Sequence, residues 1–298
     1  MSFLRNQEDT SVSGFAEALA YFNHWGGSLS VEKFGLRFDD NGAVGFFDEL
    51  VLHSAFQPVL HAGTLRPFAF EALLRAQDGA GAAVSPSDAF RRPTTVDEIS
   101  YFDRLCRITH VVNFVTQARG DEFLFLNVDG RHLLGAKSGT LGDTFTTLLR
   151  HCGGQPSQIV LEILEYRIDD LQKLSEAVAA YQERGYRIAL DDFGSRHSNY
   201  DRLWQVSPDI VKLDRNLLVQ AVVNIRARRV FSKVVETIHE LEALVVCEGV
   251  ETEDQHKLAV DAGVDLLQGY YYARPAAQLF YPPPPSSAFT DFSSVPAR

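Results

Sequence analysis

Cysteine is scarce in this chain. Its three cysteines, Cys106, Cys152 and Cys247, stand far apart with no CxxC spacing. That excludes a thiolate metal site or a disulfide framework as an organising principle. Basic residues are in deficit too, with 28 Lys and Arg against 39 Asp and Glu and a net charge of -11. Such a balance opposes nonspecific binding to nucleic acid, and no DNA partner is expected. An anionic small ligand remains compatible with it, because a bound cation reverses the local sign. No apolar run approaches the roughly 20 residues of a membrane span, so no membrane segment is expected. The N-terminus lacks the basic-then-apolar pattern of a signal peptide, and a cytoplasmic location is expected. A Gly-rich phosphate loop and a Ser-His-Asp order are lacking as well.

What is present is ordinary globular material, 45% hydrophobic and 22% charged over 298 residues. The length suits one large α/β barrel or two medium domains. From Leu50 onward, apolar strand-like runs alternate with helix-like segments. The runs are Phe68 to Leu74, Phe123 to Val128, Ile159 to Leu164, Tyr186 to Leu190, Ile210 to Leu213, Leu244 to Cys247 and Leu266 to Tyr271. Helical segments are expected at Asp97 to Gln117, Gly142 to His151, Leu171 to Arg184, Arg226 to Leu244 and Glu253 to Ala262. Leu171, Leu174, Ala177, Val178 and Tyr181 share one helical face, and Gly185 follows as a stop. So many βα units predict a (β/α)8, TIM-like barrel. Residues 1–45 read as an N-terminal extension: a helix within Ser13 to Trp25, then two short strands around Asp40-Asn41-Gly42. The barrel is assigned to 46–280. Residues 281–298, with four consecutive prolines, form an extended tail.

The chemistry sits at the strand ends. Glu71, Asn127, Glu162, the pair Asp191-Asp192, Lys212, Glu248 and Gln268 each fall in or directly after an apolar run. Parallel barrel strands bring their C-terminal ends to one face, so these side chains should converge there. A buried glutamate is, taken singly, more often a salt-bridge partner than a ligand. Five carboxylates at the same end of successive strands are not explained that way. Adjacent buried carboxylates need positive charge, and hard divalent cations prefer oxygen ligands. Two such cations are the recurrent device for hydrolysing phosphate esters, with a lysine to steady the charge that develops.

Glu71-Ala72-Leu73 followed by Leu74-Arg75 resembles the signature of EAL domains, the cyclic di-GMP phosphodiesterases. The resemblance continues in order through FQPV at 56–59, LNVDGRHL at 126–133, LEILE at 161–165, DDFG at 191–194, VKLDR at 211–215, EGVET at 248–252 and QGYYYARP at 268–275. It covers about 50–280. It implies a modified barrel with one antiparallel strand, two Mg2+ or Mn2+ ions, hydrolysis of cyclic di-GMP to linear pGpG, and a homodimer. By position it implies metal ligation by Glu71, Asn127, Glu162, Asp191 and Asp192, with Asp191 bridging. Lys212 then matches the catalytic lysine, and Glu248 a residue beside the metals and the attacking water. Gln57, Leu73, Arg75 and Gln268 match substrate contacts, Glu165 the support of the loop after Asp192, and Glu251 a further carboxylate of the site wall.

The loop after Gly194 departs from the family pattern. It reads Ser195-Arg196-His197-Ser198-Asn199, with Arg196 where a glycine is usual. A positive φ at Arg196 would be strained. Asp129 stands where serine is common, and the segment after Phe90 differs as well. The altered loop motivates a second reading, a cyclic di-GMP receptor with little or no turnover. His197 reads as a loop-packing residue before it reads as a ligand. An enolase-type barrel is disfavoured, since the first 50 residues are too short for its capping domain. The segment Asn216 to Arg229 mixes apolar and basic residues and fits either an interface or a loop with a barrel helix.

Overall fold

The computed structural model describes residues 16–22, 34–39, 42–128, 143–164, 170–195 and 200–281. Its strands are β1 (Phe34–Asp39), β2 (Gly42–Phe47), β3 (Leu50–His61), β4 (Pro67–Gln77), β5 (Ala83–Val84), β6 (Phe123–Asn127), β7 (Ile159–Leu164), β8 (Arg187–Phe193), β9 (Ile210–Leu213), β10 (Leu244–Cys247) and β11 (Leu266–Leu267). Strands β4 and β6 to β11 pair in parallel in that order. Strand β3 closes the ring, antiparallel to both β4 and β11. The result is an eight-stranded barrel with one reversed strand, as expected.

Period-two alternation along each strand separates two environments. Val59, Ala69, Phe125, Val160, Ala189, Ile210, Val246 and Leu266 form an apolar plug inside the barrel. The alternate residues Phe70, Leu126, Leu161, Ile188, Leu190, Val211, Val245 and Leu267 pack outward in the larger cores. Two residues past each plug residue the strand again faces inward, one layer higher. Those positions hold Glu71, Asn127, Glu162, Asp191, Lys212, Glu248 and Gln268. On reversed β3 the same layer is reached two residues before the plug, at Gln57.

The helices are α1 (16–22), α2 (Pro86–Ala89), α3 (Val96–Val115), α4 (Asp143–His151), α5 (Leu171–Gln182), α6 (Tyr200–Val206), α7 (Arg215–Val223), α8 (Ile225–His239) and α9 (Glu253–Asp261). A Thr95/Glu98 capping box starts α3, and Thr252/Gln255 does the same for α9. On α5, Leu174, Ala177, Val178 and Tyr181 are buried as the pattern predicts, and Gly185 turns the chain with φ +92°. The segment from Asn216 resolves into two helices. Asn224 ends α7 and caps α8 through its side chain, which accepts from the Arg226 and Ala227 amides. The helix expected at 226–244 ends at His239, because Leu244 already begins β10. The run expected as a strand to Tyr271 leaves the sheet after Leu267, since Tyr271 N–H donates to Val250 O (2.9 Å).

Hairpin β1–β2 adds to the same sheet through β2–β3 pairing. Helix α3 covers it. Asn113 on α3 clamps Ala43 from both sides: its Nδ2 donates to Ala43 O (2.8 Å) and its Oδ1 accepts from Ala43 N–H (2.7 Å). Gly42 makes room for this with φ +123°, since any Cβ would lie 2.3 Å from Asn113 Oδ1. Phe22 of α1 is fully buried, edge-on to Tyr101 at 5.6 Å. The turn at Asp40-Asn41, both ends of Ser13 to Trp25 (13–15 and 23–25) and the tail from 282 lie outside the described residues.

His110, buried on α3, hydrogen-bonds Ser54 Oγ through Nδ1 at 2.8 Å. Burial, and then the Arg75 charge, push its pKa down to about 3 from 6.5. The unfolded chain therefore takes the proton first. This group costs no stability above pH 6.5, and stability falls as pH drops from 6.5 toward 3. At pH 5 the loss is about 2 kcal/mol, at about 1.36 kcal/mol per unit. Urea unfolding at pH 7 and pH 5 of wild type and His110→Gln isolates the contribution. The variant should lack that share of the acid sensitivity; equal slopes would show that the imidazole does not titrate this way.

Candidate functional site

The inward layer above the plug is where the sequence-predicted residues meet. Lys212 is 1% exposed, and its Nζ lies among four carboxylates. It is 2.8 Å from Glu248, 3.2 Å from Asp191 and 3.6 Å from Glu71, and it pairs directly with Glu162. Gln268 Nε2 donates to Glu71 Oε2 at 2.6 Å. Asn127 stands beside Glu162 in the β6–β7 register.

Asp191 and Asp192 are consecutive, so strict alternation would send one of them outward. The backbone breaks the alternation there. Asp192 has φ +58°, and the β8–β9 register shifts between Leu190 and Phe193. Asp is among the few residues that tolerate this left-handed region, and such bulges re-aim side chains next to active sites. As a result Asp191, Asp192 and Glu248 each offer a carboxylate oxygen within 4.8 Å of one another. Gly194 then turns the chain with φ +93°, where a Cβ would lie 2.0 Å from Leu217 Cδ1. The strain anticipated at Arg196 concerns a position outside the described residues, as do His197 and Asp129; Asp192 is the left-handed residue that the sequence did not reveal.

Five carboxylates face one ammonium, and their proton affinities record the imbalance. Burial, reinforced by Glu71, raises the Glu162 carboxyl well above its usual range against the pull of Lys212. Glu248 is raised to about 8 by burial, partly offset by Lys212. Asp192 is raised to about 6 by burial and then by Asp191. Burial disfavours the Lys212 charge, but Asp191, Glu162, Glu248 and Glu71 together outweigh it and hold the ammonium protonated. Glu162 Oε2 and Gln268 Oε1 are buried without a hydrogen-bond partner among the described residues. Unpartnered buried oxygens and a surplus of carboxylates fit hard divalent cations.

A cavity of about 280 Å³ opens above this layer. Gln57, Glu71, Asp192, Glu248, Glu251 and Gln268 line it, with Asp214, Arg215 and Tyr270. Gln57 Nε2 donates to Ala273 O (3.2 Å), and Arg215 pairs with Glu251 at 2.7 Å. Leu73 and Arg75 follow Glu71 on the same strand face above the rim, with Leu73 partly buried and Arg75 exposed, and neither lines this cavity. Glu165 lies outside the described residues. Asp214, Arg215 and Tyr270 were missed as site residues, although each sits inside a quoted motif. The available signal was their spacing, since Asp214 and Arg215 follow Lys212 within three positions at a strand end.

Fold and site together define a βα-barrel protein with an acidic crown at the C-terminal strand ends. The chain belongs to the EAL domain family, whose family model matches residues 47–275. Among curated proteins it is 29% identical over 227 residues to the probable cyclic di-GMP phosphodiesterase PdeN of Escherichia coli, covering 74% of this chain and 43% of that protein. It is 30% identical over 158 residues to the cyclic di-GMP phosphodiesterase RocR of Pseudomonas aeruginosa, covering 53% and 38%. The chain thus spans less than half the length of these relatives. Among solved structures, a standalone EAL protein of Vibrio cholerae with c-di-GMP bound shares the fold at TM-score 0.67 and 24% identity, over 76% of this chain and 93% of that one. BlrP1 of Klebsiella pneumoniae, solved with manganese and cyclic di-GMP, matches at TM-score 0.65 and 26% identity, over 76% and 56%. No helix among the described residues is long and apolar enough to cross a membrane.

The charge balance is testable without any ligand. Lys212→Met removes the ammonium shared by four carboxylates and should cost about 3–5 kcal/mol in EDTA, the penalty for breaking a buried pair. Urea unfolding measures it. The penalty should shrink from pH 8 to pH 6, because protons then replace the ammonium. A penalty below about 1 kcal/mol at pH 8 would contradict the arrangement.

Proposed function

We propose that this protein hydrolyses cyclic di-GMP to linear pGpG with the help of two divalent cations, Mg2+ or Mn2+. The observation that carries the proposal is the convergence of Glu71, Glu162, Asp191, Asp192 and Glu248 around Lys212 at one end of the barrel. The names and bound ligands of the related proteins support the choice of substrate.

Glu71, Asn127, Glu162, Asp191 and Asp192 would hold the cations. When bound, such ions polarise phosphoryl oxygens and make a nearby water more acidic. The site's own residues supply the rest. In the reaction a water oxygen attacks phosphorus and the bond to the 3′ oxygen breaks, leaving a 5′ phosphate on the product. Glu248 faces the cavity beside Asp191 and Asp192, where it can take a proton from that water. Lys212, kept charged by its neighbours, offsets the negative charge that grows on the phosphoryl group. Gln57 and Gln268 present amides to the bound ligand, Leu73 an apolar rest and Arg75 a guanidinium for phosphate. Glu251 holds Arg215 in the site wall, and by the family resemblance Glu165 would support the loop after Asp192. The exposed Val223, Ile225 and Val230 at the α7–α8 elbow offer a surface for pairing two copies, which light scattering with and without ligand would detect.

Turnover of cyclic di-GMP with Mn2+, followed by chromatography of pGpG, tests the proposal. Glu71→Ala should lower kcat/KM by about 100-fold or more, since even outer partners of a metal site command 10–100-fold. Tight binding with intact ligand after long incubation would replace the enzyme by the receptor reading. Neither binding nor turnover would reject both.

A further inference from the structure

Strand β4 is not supported evenly along its length. Strand β6 pairs with it only at Ala69 to Ala72, and β5 only at Ala76 and Gln77. Between them, Leu73 to Arg75 have β3 as their one strand neighbour among the described residues. The facing residues of β3 are no better flanked, because β2 pairs with β3 only from Leu50 to Leu52. Above the barrel rim the sheet therefore narrows to a two-stranded ribbon, His53 against Arg75, Ser54 against Leu74 and Ala55 against Leu73. Two strands alone are marginal in water. The ribbon is anchored from α3 instead. Ser54, buried at its centre, accepts from Asn113 Nδ2 (3.1 Å) and meets His110 Nδ1 at 2.8 Å. The same Asn113 amide clamps Ala43 of the N-terminal hairpin, so it commits both N–H groups and its oxygen to this junction. Gly45 of β2 lies so near α3 that an added Cβ would come within 3.0 Å of Thr109 Oγ1. Hairpin, helix and ribbon thus meet in one buried polar network, and such networks rigidify what they join.

We propose that Asn113, acting through Ser54, is a positioning residue for the substrate, and that it makes the N-terminal hairpin a brace for the ribbon that carries Leu73 and Arg75. This rests on the phosphodiesterase reading, which gives those two residues to the ligand. Loosening the ribbon lets them wander, and each binding event must then restore their order at a cost in affinity. The carboxylate layer is spared. Glu71 lies on the supported part of β4, between Phe125 of β6 and Gln57 of β3. The brace therefore acts on binding and leaves bond making alone. The hairpin, an appendage when read in sequence, becomes part of the scaffold of the ligand site.

Kinetics with two substrates in Mn2+ separate positioning from bulk stability. Bis(p-nitrophenyl) phosphate is a phosphodiester with neither a purine nor a second phosphate, so it has nothing to place on Arg75. Asn113→Ala should raise KM for cyclic di-GMP about 5- to 30-fold, the range of coupling between remote sites. Its kcat, and its turnover of bis(p-nitrophenyl) phosphate, should stay within about twofold of wild type, the margin allowed for independent sites. In an Arg75→Ala background the same substitution should change KM less than about twofold, because it acts through a contact already lost. Should the ligand stay intact, calorimetric titration reads the same ratios as Kd. An equal loss for both substrates, unchanged KM, or full additivity with Arg75→Ala would overturn the brace while leaving the phosphodiesterase reading in place. Should Asn113→Ala fail to fold, Ser54→Ala decides by the same thresholds. A wild-type protein that neither binds nor turns over cyclic di-GMP would instead reject the underlying function, and the proposal with it.

Discussion

The site depends on one electrostatic constraint: three buried carboxylates and the partly buried Glu248 close around a single ammonium, Lys212, while a fifth carboxylate, Asp192, stands beside them. No arrangement of these six groups is neutral unless protons or cations are added. Without cations, protons fill the gap, which is why burial and mutual repulsion lift Glu162, Glu248 and Asp192. With cations, the same groups are an oxygen-rich cradle. Lys212 therefore has two roles that share one cause. It holds the layer together, and in the proposed reaction it would place a fixed positive charge where phosphoryl charge develops.

The barrel makes such a concentration of charge tolerable. Its apolar plug, with Phe125, Ile210 and Val246 among others, seals the layer from below. The outward residues of the same strands bind the helices. A strand can thus carry one carboxylate inward without disturbing either core, since its neighbours along the chain face the other way. The reversed β3 contributes Gln57 to the same layer by running its sequence backward. The bulge at Asp191-Asp192 is the exception that permits two successive carboxylates to face the site. Its cost is a non-glycine residue in the left-handed region, and Asp is suited to bear it. Above the layer, the turn at 268–276 and the Arg215–Glu251 pair build a wall whose rigidity comes from backbone hydrogen bonds to β3 and Val250.

Much of this was legible in the chain. The alternation of apolar runs with amphipathic segments announced the barrel, and seven of the inward polar residues were found because they end or interrupt those runs. Where the reading failed, a contact distant in sequence had decided the outcome. Leu266 to Tyr271 looked like one strand, yet Val250 captures the Tyr271 amide and ends it early. The helix from Arg226 stopped at His239 because Leu244 was needed in the sheet beside Ile210. The left-handed backbone at Asp192 went unread, because nothing in its local sequence distinguishes it from Asp191.

The sequence by itself determined which residues are polar at strand ends, and hence the family, the barrel and the chemical type of the site. These follow from periodicity and residue type, which are local properties. The tertiary structure alone decided how those residues meet. It put Lys212 among Glu71, Glu162, Asp191 and Glu248, turned Asp192 inward through a bulge, and joined Ala43 of the hairpin to Ser54 of β3 through Asn113. Each of those outcomes needs strands and loops far apart in the chain to be brought into register, and register is fixed by closure of the whole barrel rather than by any segment of it.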